Sequence, residues 1–373
     1  VIGPSLLHWI LPILTGERSD IVAQLVTLPL APLALLYALG LKAYLTLYTL
    51  GLRKRLRLPC CVVSVGNIVS GGTGKTGLTI ALARGLASAG LHVCILSRGF
   101  RGSRSLEGAV VAAGNGATLG VAEVGDEPFL MAQKLPGVPV IVGRDRRVTG
   151  RLAVERFRPD VIILDDGMQY YQLHRDVDIA LVSASRPFGN GLPLPAGVLR
   201  EPADHLRRAS CIVVNDDVGS PVSEAMAHMM SIVGDMSVFV GRYVATSVYE
   251  IPDRQCVPLK RLASAKVATL CALGNPASFE ATVIQTGATP VASYRLVDHR
   301  PPSGDEVVQV TTEAAELGAE AIVISAKDAV KWPEITASVP VWVLDAEFTL
   351  DDPEALLQLV RMQALVGSGH ARR

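Results

Sequence analysis

Residues 60–89 read CCVVSVGNIVSGGTGKTGLTIALARGLASA, and this stretch constrains the chain more than any other. A short β-branched run, Val62-Val63-Ser64-Val65, leads into Ser70-Gly71-Gly72-Thr73-Gly74-Lys75-Thr76. Apolar residues at Leu78, Ala81, Leu82 and Leu86 come next with helical spacing. Strand, glycine loop and helix in that order make a cradle for phosphate. Glycine lets backbone N–H groups turn inward without a Cβ in the way, and the helix N-terminus adds partial positive charge. Lys75 has the reach for β- and γ-phosphates, and the Thr76 hydroxyl suits Mg²⁺. The expected nucleotide-binding residues are thus Gly71, Gly72, Thr73, Gly74, Lys75 and Thr76. The full phosphate-loop pattern asks for a further glycine where Val69 stands, so the match is to G-G-x-G-K-T.

A chain of 373 residues is too long for one typical core, which argues two domains. Hydrophobic residues make up 49% and charged ones 19%, a balance that points to a membrane-associated or unusually apolar protein. The formal net charge is zero, so nothing drives the chain toward nucleic acid. Cys60, Cys61, Cys94, Cys211, Cys256 and Cys271 show no CxxC spacing and read as buried thiols, not as a disulfide frame or zinc site.

Residues 1–57 stand apart as a membrane-associated segment. The run 21–41 carries no charge and, as a helix, would extend roughly 30 Å, the thickness of a bilayer core. The cluster Arg53-Lys54-Arg55-Leu56-Arg57 places the domain after it on the cytoplasmic side. Pro29 and Pro32 predict an interruption, so a clean span, a kinked or half-inserted segment and a buried helix pair all remain open. From Cys60 onward, strand-like runs at 62–65, 92–96, 138–142, 161–164, 179–183 and 211–215 alternate with helix-like stretches at 76–89, 127–134 and 145–157. This rhythm predicts an α/β fold, a mostly parallel sheet with helices on both faces, over 58–217. Residues 218–265 read as a linker region, with a helix at 221–232 capped by Ser220 and antiparallel strands over 237–249. A smaller C-terminal α/β domain is expected over 266–366, with strands at 267–272, 292–297, 321–325 and 341–344, then a disordered tail, 367–373.

Ligand loops belong at the carboxyl ends of such strands. Asp165 and Asp166 end an apolar run, where a phosphate-loop protein holds its Mg²⁺-side carboxylates. Asp126, before Glu127-Pro128, suits either a helix cap or a base that takes a proton from an attacking hydroxyl. Asp298-His299 suits either a solvated turn or a catalytic pair. Arg98, Arg144, Arg146 and Arg200 recur at turns, where guanidinium forks match phosphate oxygens. The turn-rich loop containing Asn190, running up to Arg200 and Glu201, reads as a substrate-binding loop.

Taken together, VGNIVSGGTGKT (65–76), SRGFRG (97–102), VGDEP (124–128), GRDRR (143–147), LDDGMQ (164–169), RPFGNGLPLPAGVLREP (186–202), ALGNPASF (272–279), VDHRPP (297–302) and KDAVK (327–331) resemble one family, the tetraacyldisaccharide 4′-kinases of lipid A biosynthesis. The likeness runs from about residue 20 to residue 350. It implies a P-loop NTPase-like domain, a smaller C-terminal domain and an N-terminal hydrophobic helix at the cytoplasmic face of a bacterial inner membrane. It implies ATP and Mg²⁺ as cofactors and an acylated disaccharide 1-phosphate, phosphorylated on its 4′-hydroxyl, as the membrane lipid substrate. By position, Lys75 and Thr76 hold nucleotide and metal, Asp165 and Asp166 are the metal-side acids, Asp126 is the base and His299 its partner across the domain cleft. The chain departs from the family pattern at Gly77 (usually proline), Tyr170 (usually histidine), Val198 (usually proline) and Ser325-Ala326 (usually Thr-Glu). A rival reading from another class is a membrane-recruited ATPase switch of the partition or cell-division type. Such switches carry a lysine where Ser70 stands and an amphipathic helix at the other end of the chain.

Overall fold

The computed structural model describes residues 6–219, 221–335 and 337–371. Thirteen strands among them form one sheet. In chain order they are β1 (Cys61–Gly66), β2 (Val93–Ser97), β3 (Ala109–Ala112), β4 (Val140–Val142), β5 (Val161–Asp165), β6 (Val177–Ser183), β7 (Cys211–Asn215), β8 (Val238–Ile251), β9 (Gln255–Val257), β10 (Lys266–Cys271), β11 (Thr289–Arg295), β12 (Ala321–Ser325) and β13 (Val341–Leu350). Across the sheet they run β11-β10-β12-β13-β8-β7-β6-β1-β5-β2-β4-β3, with β9 paired to β8.

The phosphate-loop half, β4-β2-β5-β1-β6-β7-β8, is parallel throughout. Every residue of β1, β2, β5 and β7 is buried, which is why these strands read as mostly apolar runs, with the polar Ser97, Asp165 and Asn215 at their carboxyl ends. The helix Lys75–Ser88 packs Leu78, Leu82 and Leu86 into the core on one face, each such leucine contributing about 1.5–3 kcal/mol. The second half, β11-β10-β12-β13, is also parallel within itself.

The two halves meet through β8 and β13, which pair antiparallel, so the halves run in opposite directions. The register decides where their loops end up. β7 pairs with β8 only up to Gly241, and β12 pairs with β13 only up to Leu344. The two carboxyl edges therefore face each other across the middle of the β8–β13 ribbon, one at Gly241 opposite Leu350 and the other at Leu344 opposite Val248. There the ladder is interrupted between Asp345 and Ala346. Thr246, the unpaired residue opposite, turns its hydroxyl onto the Asp345 carbonyl at 3.1 Å. A bulge of this kind adds local twist. The loops of both half-sheets thus face one cleft.

Several expectations are corrected. The segment expected to be antiparallel around 237–249 is one long strand, β8, which is parallel to β7 and antiparallel to β13 and β9. The helix there is Val222–Val233, with Pro221 at its N-cap position; Ser220, expected as the cap, lies outside the described residues. The apolar helix Ile21–Thr49 is 29 residues long and continues through Pro29 and Pro32. Both prolines are exposed, and Asp20 caps the start by accepting from the Ala23 amide. At the other end, the helix Pro353–Ala371 continues through residues 367–371, where a disordered tail was expected.

Trp342 on β13 is fully buried, in a core shared with Val267, Phe279 and Val323 of the second half-sheet. Trp342→Ala is expected to cost about 3–5 kcal/mol, read as a lower denaturant midpoint.

Candidate active site

The cleft at the ribbon midpoint holds about 950 Å³. One wall carries Gly71 to Gly77 with Arg98, Arg144, Arg146, Asp165, Asp166 and Arg200. The other carries Leu273, Gly274, Asn275, Asp298, His299 and Lys327 from the second half-sheet. Tyr243 and Phe348 of the ribbon and Tyr37 of the apolar helix complete it.

The glycine loop is clamped from below. Asn67 Nδ2 donates to Thr73 Oγ1 at 3.0 Å and Asn215 Nδ2 to the Thr73 carbonyl at 3.0 Å. Gly74 has φ 98°, in the left-handed region that glycine favours, and opens the helix. Gly72 is needed for a different reason, since a Cβ there would lie 2.9 Å from the Asn275 amide nitrogen. A Cβ on Gly274 would likewise sit 2.6 Å from the Gly72 nitrogen. The phosphate loop and the 273–275 loop touch backbone to backbone.

Lys75 Nζ lies 3.4 Å from the Gly71 carbonyl and 3.7 Å from Asp166 Oδ1. Arg200 Nη1 donates to both Asp166 oxygens at 3.0 Å. Burial would raise the Asp166 pKa, but Lys75 and Arg200 outweigh it and hold it at about 2. Asp165 behaves oppositely. Buried and next to the charges of Glu127 and Asp166, it is pushed well above the usual carboxylate range, although Ser97 Oγ donates to it at 3.0 Å. Asp166 (φ 49°) and His299 (φ 63°) both hold the left-handed conformation, a cost concentrated at the cleft.

Asp126 and His299 come together from opposite half-sheets. His299 Nδ1 lies 3.0 and 2.9 Å from the two Asp126 oxygens. Lys331 Nζ donates to Asp126 Oδ2 at 3.1 Å, and Lys327 Nζ donates to Glu127 at 2.9 Å. Burial pulls the Asp126 pKa up, but the His299 hydrogen bond and the charges of Lys327, His299 and Lys331 hold it well below the carboxylate range. Asp126 is only 6% exposed and His299 lines the cleft in front of it. Asp126 is the first residue of the helix Asp126–Lys134, whose N-cap position is held by Gly125, so the capping role weighed for Asp126 is not the one it takes.

Two expected substrate residues are committed elsewhere. Asn190 donates to the Ala196 carbonyl at 2.9 Å and accepts from the Leu192 amide at 3.0 Å, which folds its own loop. Glu201 is fully buried and bonded to Gln169, Tyr171, His205 and Arg208. Neither lines the cleft. Both were polar residues in a turn-rich loop, and the sequence does not show which side chains fold inward. The residues that sequence reasoning missed are Glu127, Lys327, Lys331, Asn215 and Tyr243. The Lys327 and Lys331 pair carried a signal, two lysines four apart just after an apolar run, whose carboxylate partners sit about two hundred residues earlier in the chain.

The departures fit locally. Tyr170 lines the cleft, donates to Asp145 Oδ1 at 2.8 Å and lies under the Arg146 guanidinium at 5.3 Å. Tyr243 takes up the space beside Gly77, its hydroxyl 2.4 Å from where a Cβ would be. Ser325 Oγ accepts from the Asp328 amide at 3.1 Å and caps the turn that carries Lys327.

A glycine loop between a buried parallel strand and a helix, with two acids at the end of the adjacent strand, defines a phosphate-loop nucleotide-binding protein. Comparison with known proteins narrows this. The family model for tetraacyldisaccharide-1-P 4′-kinase matches residues 26–364. The chain therefore belongs to the tetraacyldisaccharide 4′-kinase family. It is 34% identical over 355 residues to the tetraacyldisaccharide 4′-kinase of Syntrophus aciditrophicus, covering 92% of this chain and 94% of that one. It is 38% identical over 287 residues to the enzyme of that name from Anaeromyxobacter dehalogenans, covering 76% of each. The solved structure of LpxK from Aquifex aeolicus in complex with ATP superposes with a TM-score of 0.70 at 29% identity, covering 91% of this chain and 99% of that one.

Glu201 gives a pH test of its structural role. Burial raises its pKa, but hydrogen bonds and charge from His205 and Arg208 bring it from 4.5 to about 2. A depressed carboxylate pKa stabilises the fold above the unfolded value and is lost as pH falls toward the folded one. Glu201→Gln is expected to lose up to about 3 kcal/mol at pH 7. The gap to the unmodified protein should narrow between pH 4.5 and pH 2 in denaturation series.

Proposed function

We propose that this protein is the kinase its family implies, transferring the γ-phosphoryl group of ATP to the 4′-hydroxyl of a tetraacylated glucosamine disaccharide 1-phosphate. The observation that carries this reading is the Asp126–His299 pair, which links the two half-sheets, with His299 lining the same cleft as the phosphate loop. In this reading residues 58–217 form the kinase domain, 266–366 a smaller domain, and 218–265 the link between them.

The roles come from position. Lys75 and the loop amides bind the β- and γ-phosphates. Arg98, Arg144 and Arg146 line the cleft and offer positive charge to the phosphoryl oxygens. Arg200 fixes Asp166 beside Lys75. The acceptor hydroxyl oxygen attacks the γ-phosphorus, its proton passes to the Asp126–His299 pair, and ADP leaves with the bridging oxygen. A carboxylate with a depressed pKa is a weak base, but phosphoryl transfer has a loose transition state that asks mainly for position and charge stabilisation.

Mg²⁺ fits the residues present. Asp165 is destabilised as an anion by burial and by neighbouring carboxylates, a charge surplus that a divalent cation would relieve. Among the described residues no group of three or more His, Cys, Asp or Glu side chains is arranged to hold a metal alone. That suits an ion that draws most of its ligands from phosphate and water. Thr76, Asp165 and Asp166 would hold it, and it would neutralise charge on the β- and γ-phosphates. The apolar helix Ile21–Thr49, with Arg53 to Arg57 after it, supports a seat at the cytoplasmic face of the inner membrane, where the lipid acceptor resides.

Asp126→Asn is expected to lower kcat by about 10²–10⁴-fold while the Kd for ATP stays within a few-fold. Labelled ATP and the disaccharide lipid in detergent, with and without Mg²⁺, give the rate. Normal turnover in this variant would remove Asp126 from the chemistry.

A further inference from the structure

We propose that Lys331 is a positioning residue of this site: anchored by Asp328, it holds the Asp126 carboxylate from behind and leaves His299 as the member of the pair that meets the acceptor. Its part in the reaction rests on the kinase reading above; its place in the fold does not.

Four ionisable groups stand in a row behind the cleft wall. His299 Nδ1 meets both Asp126 oxygens, at 3.0 and 2.9 Å. Lys331 Nζ donates to Asp126 Oδ2 at 3.1 Å and lies 3.8 Å from Asp328 Oδ1. Asp328 is fixed to the fold in turn. Its Oδ1 accepts from the Ala272 amide at 3.2 Å and its Oδ2 from Ser325 Oγ at 2.7 Å. Ala272 directly follows β10 and Ser325 closes β12, so the row is bolted to the carboxyl edge of the second half-sheet. Of the four side chains His299 is the most exposed, at 15%, and it lines the cleft; Asp126, Lys331 and Asp328 are more deeply buried and do not.

The Asp126 carboxylate has no acceptor site to spare. It offers about four. Its Oδ1 takes His299 and the Glu127 amide, and its Oδ2 takes His299 and Lys331. With Nδ1 donating to Asp126, Nε2 is the ring nitrogen left with a lone pair. As the acceptor oxygen bonds to the γ-phosphorus, its proton goes to Nε2 and ADP leaves with the bridging oxygen. The imidazolium so formed shares Asp126 with the Lys331 ammonium. A carboxylate with one partner draws a proton strongly onto that partner; one shared with a fixed ammonium draws it less. Lys331 thus sets how readily the pair takes up the proton. The other charges facing the pair are Glu127, Lys327 and Asp298, and the Phe100 ring lies 5.3 Å from His299. All of these stay in place when residue 331 alone is changed.

The test compares the full chain with Lys331→Met and Lys331→Arg. Without the ammonium, the acid limb of the kcat/KM profile is expected to move to higher pH by about one unit. The deficit is then largest at low pH, about tenfold, and narrows as pH rises. Arginine keeps the charge and is expected to return the limb to its place. The Kd for ATP is expected to stay within a few-fold, since Lys331 is off the cleft lining. Lys331→Gln keeps a donor for Asp126 and replaces the methionine variant if that one does not fold. A loss uniform across pH, or a limb in the same place in every variant, would overturn the proposal and leave Lys331 a packing role. A second readout needs no substrate. In histidine-labelled protein, with the His299 resonance identified by its loss in His299→Gln, His299 is expected to take up its proton at higher pH in the neutral variants than in the unmodified chain. An unmoved titration would overturn the proposal as well. If the unmodified chain does not phosphorylate the lipid, the kinase reading falls, and this titration still reports the hold of Lys331.

Discussion

The antiparallel ladder between β8 and β13 is the constraint on which the rest depends. Two parallel half-sheets joined antiparallel would ordinarily present their carboxyl edges, and so their functional loops, at opposite ends. Here each half-sheet covers only the first part of its ribbon strand, and the two edges face each other across the uncovered middle of the ribbon. The phosphate loop after β1 and the loops after β10 and β12 then face each other. The backbone contact between Gly72 and Gly274 and the Asp126–His299 pair are consequences of that register.

Charge in the cleft is arranged by partner and not by exposure. Asp166 and Asp165 are adjacent in sequence, yet one is held anionic by Lys75 and Arg200 and the other is pushed toward its neutral form by burial and like charge. Asp126 and Glu127, also adjacent, are both held anionic by cations from the second half-sheet, Lys331 and Lys327. The second half-sheet thus supplies the counter-charges that let the first keep its acids buried. A carboxylate left there without its partner would carry the full cost of desolvation.

Much of this was readable from sequence because local periodicity carries it. The runs at 211–215 and 321–325 are β7 and β12 to the residue, since buried parallel strands are apolar without interruption. The glycine loop was legible because glycines in the order GGxGKT have few other uses. Three things resisted. Pro29 and Pro32 argued for an interruption that the long exposed helix does not show, since propensity yields to context. Asn190 and Glu201 looked like ligand residues, because a polar side chain folding a loop has the same composition as one facing a substrate. The pairing of Lys331 with Asp126 and of Lys327 with Glu127 was not legible, because ion pairs across two hundred residues leave no periodic trace.

Tyr243 and Gly77 carry a consequence for sequence drift. The phenol occupies the volume that any side chain at position 77 would claim. The two positions are therefore interlocked. A homologue with a pyrrolidine ring after its loop threonine must shrink or redirect the residue at 243, and neither exchange is neutral until the other has been made.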